Sequence, residues 1–339
     1  MRIWIDLANS PHVPFFRSLA DEFARRDHQL LFTARAFAET IVLANAAGLA
    51  PELIGGHGGA GLPGKAANWL QRALSLGRWA RGHRLDLAVS HNSYSQILAA
   101  RALSIKSVTL MDYEYQPANH LAFRLASRVI VPAAFPGQAL TRFGAMPAKV
   151  RRYDGTKEDV YLADFRVDPH FERQLSELAI NASHILVTVR PPAAEALYHR
   201  FENELFDQLL GRLADTPSVK VVLLPRNDKQ REAYSARANP NLIVPEKPLD
   251  GGNLIAYSDL VISAGGTMNR EAAALGVPTA SIYQGRWAAI DEELVKEGRL
   301  QKLTTPGDIR NLVIKKKKVS TPRRAFDVLT QVTNLILED

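Results

Sequence analysis

Short apolar runs alternate with segments of helical spacing along most of the chain, and this alternation limits the fold more than any other feature. Runs of strand length are separated by stretches long enough for a helix, which is typical of a parallel sheet with helices on both faces. In the N-terminal half, the predicted strands are residues 3–5, 30–32, 51–54, 87–89, 107–111 and 129–131. The pattern therefore predicts an α/β fold with a doubly wound parallel sheet.

A charged, turn-rich stretch at residues 149–182 interrupts the alternation, which then starts again. We interpret this stretch as the crossing into a second domain of the same kind. The expected domains are residues 1–160 and 180–315, followed by a helix within 320–339 whose helically spaced apolar residues pack back toward the first domain. The strands predicted in the second half are 185–189, 220–224, 242–244, 260–262 and 279–283. The predicted helices include residues 13–26, 36–47, 171–179, 194–213 and 322–337.

The composition restricts the class of protein. Of the 339 residues, 46% are hydrophobic and 23% are charged, as in ordinary soluble globular proteins. The chain has no cysteine, which excludes disulfides, thiol catalysis and cysteine-bound metals. A net charge of +7 indicates an anionic partner without identifying it.

The sequence also bears on location. No window reaches the length of a membrane span, and the first residues do not resemble a signal peptide, so we expect a cytoplasmic protein. The predicted helix at 64–81 combines an apolar face with flanking basic residues. Such a helix usually packs on a core while its basic side chains reach solvent. Peripheral contact with the acidic inner face of a membrane is the alternative.

Residues 259–283 predict a strand, a tight turn, a helix, a second turn and another strand. Gly265 and Gly266 would let the backbone turn sharply beside a ligand, and Thr267 would cap the helix. The N–H groups and the dipole of such a helix start favour phosphate or another anion. Glu271, one turn later, could accept hydrogen bonds from ribose hydroxyls. On these residues alone, a phosphate site and an ordinary strand–helix turn are equally open.

Polar residues follow several other predicted strands, at the edge where ligands of such sheets bind. His12, at the start of a helix, could act as a general base, although a local hydrogen bond is the more frequent role of such a histidine. Arg190 and Arg226 suit a pyrophosphate beside the glycine turn. The other candidates at strand ends are Asn9, Ser10, His91, Asn92, Asp112, Glu114 and Gln284.

Several enzyme classes are disfavoured because their motifs are missing from the sequence. It contains no Walker A pattern, no Gly-x-Gly-x-x-Gly after the first strand, no Gly-x-Ser-x-Gly elbow and no histidines at zinc spacing. Kinases, dinucleotide dehydrogenases, serine hydrolases and zinc enzymes are therefore disfavoured, and we expect no required metal or cofactor. No platform of aromatic and basic residues is visible, so we expect no nucleic-acid partner.

The glycine turn resembles the donor-nucleotide site of GT-B glycosyltransferases and UDP-N-acetylglucosamine 2-epimerases, and most closely that of the peptidoglycan N-acetylglucosaminyltransferase. Residues 265–267 and Glu271 stand in the register of that motif, which implies phosphate and ribose contacts. Residues 12–14 resemble its His-Val-x-Pro run, whose histidine is the candidate base, although the proline here comes one place earlier. Glu114 matches an acid that the epimerases carry after the fifth strand, whereas residues 190–192 depart from their His-Arg-Arg pattern.

The whole chain resembles a family known as domain of unknown function 354, which comprises predicted glycosyltransferases. The likeness lies in residues 3–12, 111–114, 153–162 and 189–192. It implies a GT-B fold in which two Rossmann-like domains face a cleft. It also implies that the substrate is a nucleotide-diphosphate sugar, with uridine diphosphate as the first choice, and that the acceptor is a sugar, a lipid-linked saccharide or a glycan.

The resemblance implies roles for the residues at the strand ends. His12 and Glu114 are the expected catalytic residues. The expected nucleotide-sugar contacts are Gly265, Gly266, Thr267, Glu271, Arg190, Arg226 and Gln284. The expected acceptor-side residues are Asn9, Ser10, His91, Asn92 and Asp112. Two alternatives stay open: an enzyme like the 2-epimerases, and a non-catalytic protein that binds a nucleotide sugar or nucleic acid.

Overall fold

The computed structural model describes residues 1–35, 40–55, 62–162, 164–192, 199–237, 239–318 and 326–338. The starts of three predicted helices, at residues 36, 194 and 322, lie outside these ranges. The chain forms two compact units: Met1–Ala163 with Ala288–Ile290 and Ala325–Asp339, and Asp164–Trp287 with Asp291–Arg324. Each unit contains one sheet, and the described strand pairs in both sheets are parallel. The predicted α/β class with doubly wound sheets is therefore confirmed.

Seven strands form the sheet of the first unit: β1 (Arg2–Leu7), β2 (Gln29–Ala34), β3 (Glu52–Leu53), β4 (Leu87–Ser90), β5 (Lys106–Leu110), β6 (Arg128–Pro132) and β7 (Val150–Tyr153). Their order is β3-β2-β1-β4-β5-β6-β7. The direction of the order reverses beside β1, because β2 and β4 lie on its two sides. In such sheets the loops that leave the strands on either side of this point separate and make room for a ligand.

The helices of this unit, numbered along the whole chain, pack around its sheet. They are α1 (His12–Arg25), α2 (Thr40–Ala46), α3 (Leu62–Arg81), α4 (Tyr94–Ala102), α5 (Asn119–Leu125), α6 (Gly137–Arg142), α7 (Lys157–Leu162) and α15 (Phe326–Leu337). Helix α1 buries Phe16, Leu19 and Phe23, which recur at helical spacing. Helix α15 adds Val332 and Ile336 to the same core, so the last helix belongs to the first unit.

Strand β7 corrects one interpretation of the sequence. Residues 150–153 were placed in the crossing between domains, yet they pair with β6, and α7 follows them in the same unit. Arg151 and Arg152 hid the strand because they interrupt its apolar pattern. Both are accommodated at the edge of the sheet: Arg151 pairs with Glu338 at 2.7 Å, and Arg152 donates hydrogen bonds to backbone carbonyls. The boundary at Ala163 lies within the predicted crossing of residues 149–182, but the first residues of that stretch belong to the first unit.

Helix α3 has one packed face and one exposed face. Leu76 and Ala80 are buried in a cluster with residues of β1, β4 and α4. Trp69, Leu70 and Leu74 are 40%, 60% and 64% exposed. Among the described residues, no helix is both long enough and apolar enough to cross a membrane.

A buried carboxylate near the end of β1 joins four elements of the first unit. Asp6 accepts two hydrogen bonds from Arg72 of α3, at 2.8 and 2.9 Å. It also accepts one from Thr33 of β2, at 2.6 Å, and one from Ser93, which caps α4. Burial raises the pKa of Asp6, but the charge of Arg72 and these hydrogen bonds outweigh it, so the pKa lies below its usual value. The carboxylate is thereby held in its charged form.

The second unit is built on six strands: β8 (Ile185–Arg190), β9 (Val219–Leu223), β10 (Leu242–Ile243), β11 (Leu260–Ser263), β12 (Thr279–Ser281) and β13 (Gln301–Lys302). Their order is β10-β9-β8-β11-β12-β13, which places β8 and β11 at the centre, where the order reverses. The remaining helices of the chain are α8 (Phe171–Glu177), α9 (His199–Ala214), α10 (Asp228–Ser235), α11 (Gly251–Tyr257), α12 (Thr267–Ala274), α13 (Ala289–Lys296) and α14 (Pro306–Asn311).

Asp6→Ala should destabilise the first unit strongly. The change leaves the guanidinium of Arg72 buried without its carboxylate, and breaking a buried pair in this way costs about 3–5 kcal/mol. Urea unfolding, followed by tryptophan fluorescence, to which Trp4, Trp69 and Trp79 of the first unit contribute, measures the loss. Asp21→Ala is the matched control, because the pair of Asp21 with Arg17 is exposed on α1 and such pairs contribute about 0–1 kcal/mol. Equal losses in the two variants would contradict the prediction.

The same carboxylate predicts a pH dependence. Because the pKa of Asp6 is lower in the folded protein than in the unfolded chain, its contribution to stability is fully present above about pH 4. The contribution is lost as the pH falls through the folded-state pKa. Unfolding curves between neutral and acidic pH should therefore show wild type losing stability toward acid, and Asp6→Ala losing less.

Candidate functional site

Four strand ends of the first unit bring titratable side chains into one buried group. His12 follows β1, His91 follows β4, Asp112 follows β5 and Lys157 follows β7, and each is at most 7% exposed. The rings of the two histidines lie 4.9 Å apart. Asp112 Oδ1 lies 3.6 Å from His91 Nε2, and Asp112 Oδ2 lies 3.2 Å from Lys157 Nζ. With Glu158, we call these residues the buried charged cluster.

The position of His12 at the start of α1 fixes its backbone and buries its side chain. Its backbone N–H donates to the carbonyl of Asn9 at 3.0 Å, while its side-chain Nδ1 is buried and has no hydrogen-bond partner among the described residues. Burial lowers the pKa of His12 well below its usual value; the charges of His91 and Lys157 lower it further, and Asp112 opposes them. The imidazole is therefore neutral at neutral pH and able to accept a proton.

Lys157 and Glu158 were not among the residues that sequence reasoning singled out as candidates. Glu158 is fully buried, and its Oε1 lies 3.6 Å from Lys157 Nζ. The start of α7 positions both residues, because Thr156 Oγ1 and the N–H of Thr156 donate to Asp159 Oδ2, and the N–H of Asp159 donates to Thr156 Oγ1. A threonine followed three residues later by an acid is a helix-start signature, and it could have revealed this element.

Glu114 lies two residues beyond Asp112 on the chain segment that follows β5. It is 2% exposed, and its Oε1 accepts a hydrogen bond of 2.7 Å from the N–H of Ala289, a residue that groups with the first unit. Its Oε2 is buried without a hydrogen-bond partner among the described residues. An oxygen in this condition can bind a donor from a ligand or exchange a proton with one.

Three other candidates of the first unit are engaged in local hydrogen bonds. Asn9 Oδ1 accepts from Arg35 at 3.0 Å, and the hydroxyl of Ser10 lies 3.2 Å from that of Thr40. The amide of Asn92 donates at 2.8 Å both to the Tyr94 hydroxyl and to Asn119 Oδ1, and its backbone has a positive φ of 60°. These side chains shape the loops around the buried charged cluster.

The glycine turn of the second unit has the geometry of an open helix start. Gly265 and Gly266 have φ angles of 77° and 92°, which other residues rarely adopt. A Cβ on Gly265 would lie 3.3 Å from the ring of Tyr283, whereas one on Gly266 would meet nothing within 4 Å. The prediction that Thr267 caps the helix is wrong, because Gly266 is the cap and Thr267 the first helical residue. The cap provides no side-chain oxygen for the N–H groups of the first turn.

Two arginines follow the strands beside this turn. Arg190 ends β8 and stands in register with Ser263 of β11, two residues before Gly265. Its Nε is buried and has no hydrogen-bond partner among the described residues. Arg226 follows the adjacent strand β9 and donates from Nε to the carbonyl of Pro191 at 2.7 Å. Desolvation lowers the pKa of Arg226 to about 10, and the charge of Arg190 contributes to the shift. Arg226 stays cationic at that pKa, and two neighbouring guanidinium groups favour an anion between them.

Glu271 and Gln284 are the remaining candidates of the second unit. Glu271 lies one turn into α12 and is partly exposed. Gln284 donates from its amide nitrogen to the carbonyls of Ile282 and Leu303, at 3.2 and 3.1 Å, so this group holds the segment after β12 in place. Sequence reasoning did not foresee the buried pair of Arg270 with Asp291, at 2.7 Å, which links α12 to α13.

The residues that the structure describes contain no group of three or more histidines, aspartates or glutamates placed to hold a metal ion.

The sequence matches one family model over its full length. The model, described as "Protein of unknown function (DUF354)", matches residues 1–339. The uncharacterized protein MJ0665 of Methanocaldococcus jannaschii is 28% identical over 302 residues, which cover 88% of this chain and 86% of that protein.

Similar solved structures include two groups of enzymes. The UDP-GlcNAc 2-epimerase of M. jannaschii matches with a TM-score of 0.74 at 12% identity, over 100% of both chains. The 2-epimerase of Neisseria meningitidis bound to UDP-GlcNAc matches with a TM-score of 0.68 at 14% identity, over 100% of this chain and 92% of that one. The spinosyn rhamnosyltransferase SpnG matches with a TM-score of 0.60 at 15% identity, over 100% and 95%. At these identities the likeness is one of fold, and the fold is of the GT-B type.

Lys157→Met should raise the pKa of His12, because it removes a neighbouring positive charge that lowers that pKa. Titration of the imidazole by ¹⁵N NMR measures the change. Lys106→Met is the matched control, since Lys106 is exposed at the start of β5 and Asp112 follows the opposite end of that strand. A His12 pKa that stays the same in both variants would contradict the electrostatic coupling within the cluster.

Proposed function

Because the chain belongs to the DUF354 family and has a GT-B fold, we propose that it is an enzyme acting on a nucleotide-diphosphate sugar, with uridine diphosphate as the first choice of nucleotide. In this proposal the second unit binds the nucleotide and its diphosphate. The buried charged cluster of the first unit carries out proton transfer on the sugar or on its acceptor. The similar structures whose ligands are UDP or UDP-GlcNAc support this choice of substrate class.

The observation that carries the proposal is the open helix start beside two arginines. The first turn of α12 directs N–H groups and the positive end of the helix dipole at the space in front of Gly266. Arg190 lies at the end of the neighbouring strand, and Arg226 is close enough to it for their charges to interact. A diphosphate supplies the negative charge and the several acceptor oxygens that this arrangement lacks. In this proposal Glu271, one turn further along α12, accepts hydrogen bonds from ribose hydroxyls.

Glycosyl transfer is the reaction that we assign first. The acceptor hydroxyl forms a bond to the anomeric carbon of the sugar while the bond from that carbon to the diphosphate oxygen breaks. The electron pair leaves with the diphosphate, whose growing charge is stabilised by the arginines and by the helix start. His12, which is neutral at neutral pH, accepts the proton of the hydroxyl. The acceptor is a sugar, a lipid-linked saccharide or a glycan, and the reaction takes place in the cytoplasm.

The exposed face of α3 is relevant to a lipid-linked acceptor. Trp69, Leu70 and Leu74 lie on this face, and Arg78 and Arg81 follow in the last turn of the helix. Apolar side chains beside basic ones can rest on an acidic membrane surface. The proposal therefore includes peripheral contact with the inner face of the membrane through this helix.

Epimerisation at C2 of the sugar is the second candidate, and the buried carboxylates favour it. Glu114 has an oxygen without a hydrogen-bond partner among the described residues, and Glu158 is fully buried. Inversion at a carbon requires removal of its proton and return of a proton to the opposite face. A carboxyl group beside the sugar can serve as the acid or the base in such a transfer.

Replacing the arginine pair should weaken nucleotide binding without unfolding the protein. Arg190→Ala with Arg226→Ala removes two charge-assisted hydrogen-bond donors, so the affinity for UDP should fall by about tenfold or more. Isothermal titration of the full chain measures the affinity. Arg310→Ala is the control, because Arg310 is exposed on α14 and lies at none of the strand ends described above. UDP binding that the double variant retains would contradict the proposed site.

His12→Ala separates binding from chemistry. The variant should bind UDP as tightly as wild type, because the proposal places nucleotide contacts in the second unit. Its turnover should fall by about 100-fold or more, the size expected for loss of a general base. Full turnover would place the base elsewhere, and a parallel loss of UDP affinity would mean that His12 contributes to binding.

Solvent deuterium distinguishes the two reactions. Incubation with UDP-N-acetylglucosamine in D₂O without an acceptor should leave C2 of the sugar unlabelled if the enzyme is a transferase. Deuterium at C2, detected by mass spectrometry and NMR, would instead identify an epimerase. The variant Glu114→Gln should abolish that exchange if Glu114 is one of the groups that transfer the proton.

A further inference from the structure

The second unit contains a cavity at the amino-terminal ends of its strands, opposite to the glycine turn. The cavity has a volume of about 840 Å³, and its lining includes Leu260, Thr279 and Gln301. These are the first residues of β11, β12 and β13, whereas Gly265 and Gly266 follow the last residue of β11. Because the strands are parallel, the cavity and the proposed nucleotide site lie at opposite ends of them. The cavity is therefore separate from the site described above.

The charge of the lining is strongly positive. Its cationic residues are Arg299, Lys302, Lys315, Lys316, Lys317 and Lys318, and its acids are Asp259 and Glu297. Six positive side chains against two negative ones leave a surplus that an anion can neutralise. Lys302 is also paired with Glu292 at 2.6 Å, but Lys315 and Lys318 have exposed side chains and no ion-pair partner among the described residues. The surplus is therefore concentrated on the lysine run.

The lysine run is tied to the fold. The backbone N–H of Lys317 donates to Asp259 Oδ1 at 3.0 Å, and Lys316 Nζ donates to Asp259 Oδ2 at 3.0 Å. The same carboxylate accepts from the N–H of Leu186 at 2.8 Å and is 4% exposed. Lys317 Nζ donates to the carbonyl of Ala256. Desolvation lowers the pKa of Lys317. The charge of Asp259 opposes this shift, and the charge of Lys316 adds to it. A run of four lysines is typical of a solvated linker, but these contacts hold residues 316 and 317 against the second unit.

We propose that this cavity binds a phosphate-bearing ligand without an aromatic base. Lysine ammonium groups are compact charges that bind phosphate oxygens, and the volume lies in the range of small-molecule sites. Among the described residues, the lining has no aromatic side chain on which a nucleobase could stack, whereas Leu260, Val277 and Leu312 provide an apolar wall. A phosphorylated metabolite and the headgroup of an acidic lipid share this chemistry. Either ligand would occupy the second unit while the nucleotide site stays open.

The proposal is tested by acetylating the lysines of the full chain with and without pyrophosphate and measuring the acetylation of each lysine by mass spectrometry. Pyrophosphate should protect Lys315 and Lys318 from acetylation, while exposed Lys247, which is outside the lining, should react as before. Titration of the arginine double variant isolates the cavity from the nucleotide site. In that background, Lys315→Ala with Lys318→Ala should weaken pyrophosphate binding by about tenfold or more. Lys106→Ala with Lys247→Ala is the control of equal charge and should change the affinity less than about twofold.

Vesicles distinguish the two sources of phosphate. Protein that binds pyrophosphate through these lysines has a site for a soluble phosphorylated ligand. Protein that floats with phosphatidylglycerol vesicles, but not with phosphatidylcholine vesicles, and loses this binding in Lys315→Ala with Lys318→Ala, has a site for a lipid headgroup. Either result supports the proposal. Absence of both kinds of binding, or pyrophosphate binding that the lysine double variant retains, would overturn it.

Discussion

The buried pair of Asp6 and Arg72 is the interaction on which the site of the first unit depends. One carboxylate fixes the end of β1, the adjacent strand through Thr33, helix α3 through Arg72 and the start of α4 through Ser93. A charge removed from water is tolerated only when its partners are in place, so these elements have to come together in one arrangement. The segment that leads to His12 leaves β1 two residues after Asp6. The position of His12 thus follows from this network.

In each unit, the candidate residues lie at the carboxyl ends of the parallel strands of that unit's own sheet. The two groups of side chains suit different chemistry. In the first unit, burial and the neighbouring charges of His91 and Lys157 lower the pKa of His12, so that the imidazole is neutral at neutral pH. In the second unit, Arg190 lies close enough to Arg226 to contribute to lowering the pKa of Arg226 to about 10. The first arrangement suits proton transfer, and the second suits binding of a diphosphate. The basic cavity of the second unit lies at the amino-terminal ends of its strands. A ligand there would not compete with a nucleotide at the carboxyl ends.

The candidate site was predictable where its signals are local. The glycine turn was predictable because its positive φ angles favour glycine. The ends of strands were predictable where an apolar run stops in the sequence. Lys157 and Glu158 were missed because the strand before them contains two arginines in place of an apolar pattern. Gln284 was chosen for its position, yet its amide nitrogen is used by backbone carbonyls. Residues 315–318 had the composition of a linker, and only their contacts with Asp259 place them in a cavity wall.

By itself, the sequence determined the α/β class, the doubling of the parallel sheet and the turn at Gly265 and Gly266. These features depend on periodicity and on backbone angles, which short segments specify locally. The tertiary structure decided which side chains meet: residues 12, 91, 112 and 157 are far apart in the chain and adjacent in the fold. It also decided their protonation, because the pKa of His12 depends on burial and on charges brought by other strands. No single segment of the sequence contains that information, since desolvation and neighbouring charges exist only after the sheet has formed.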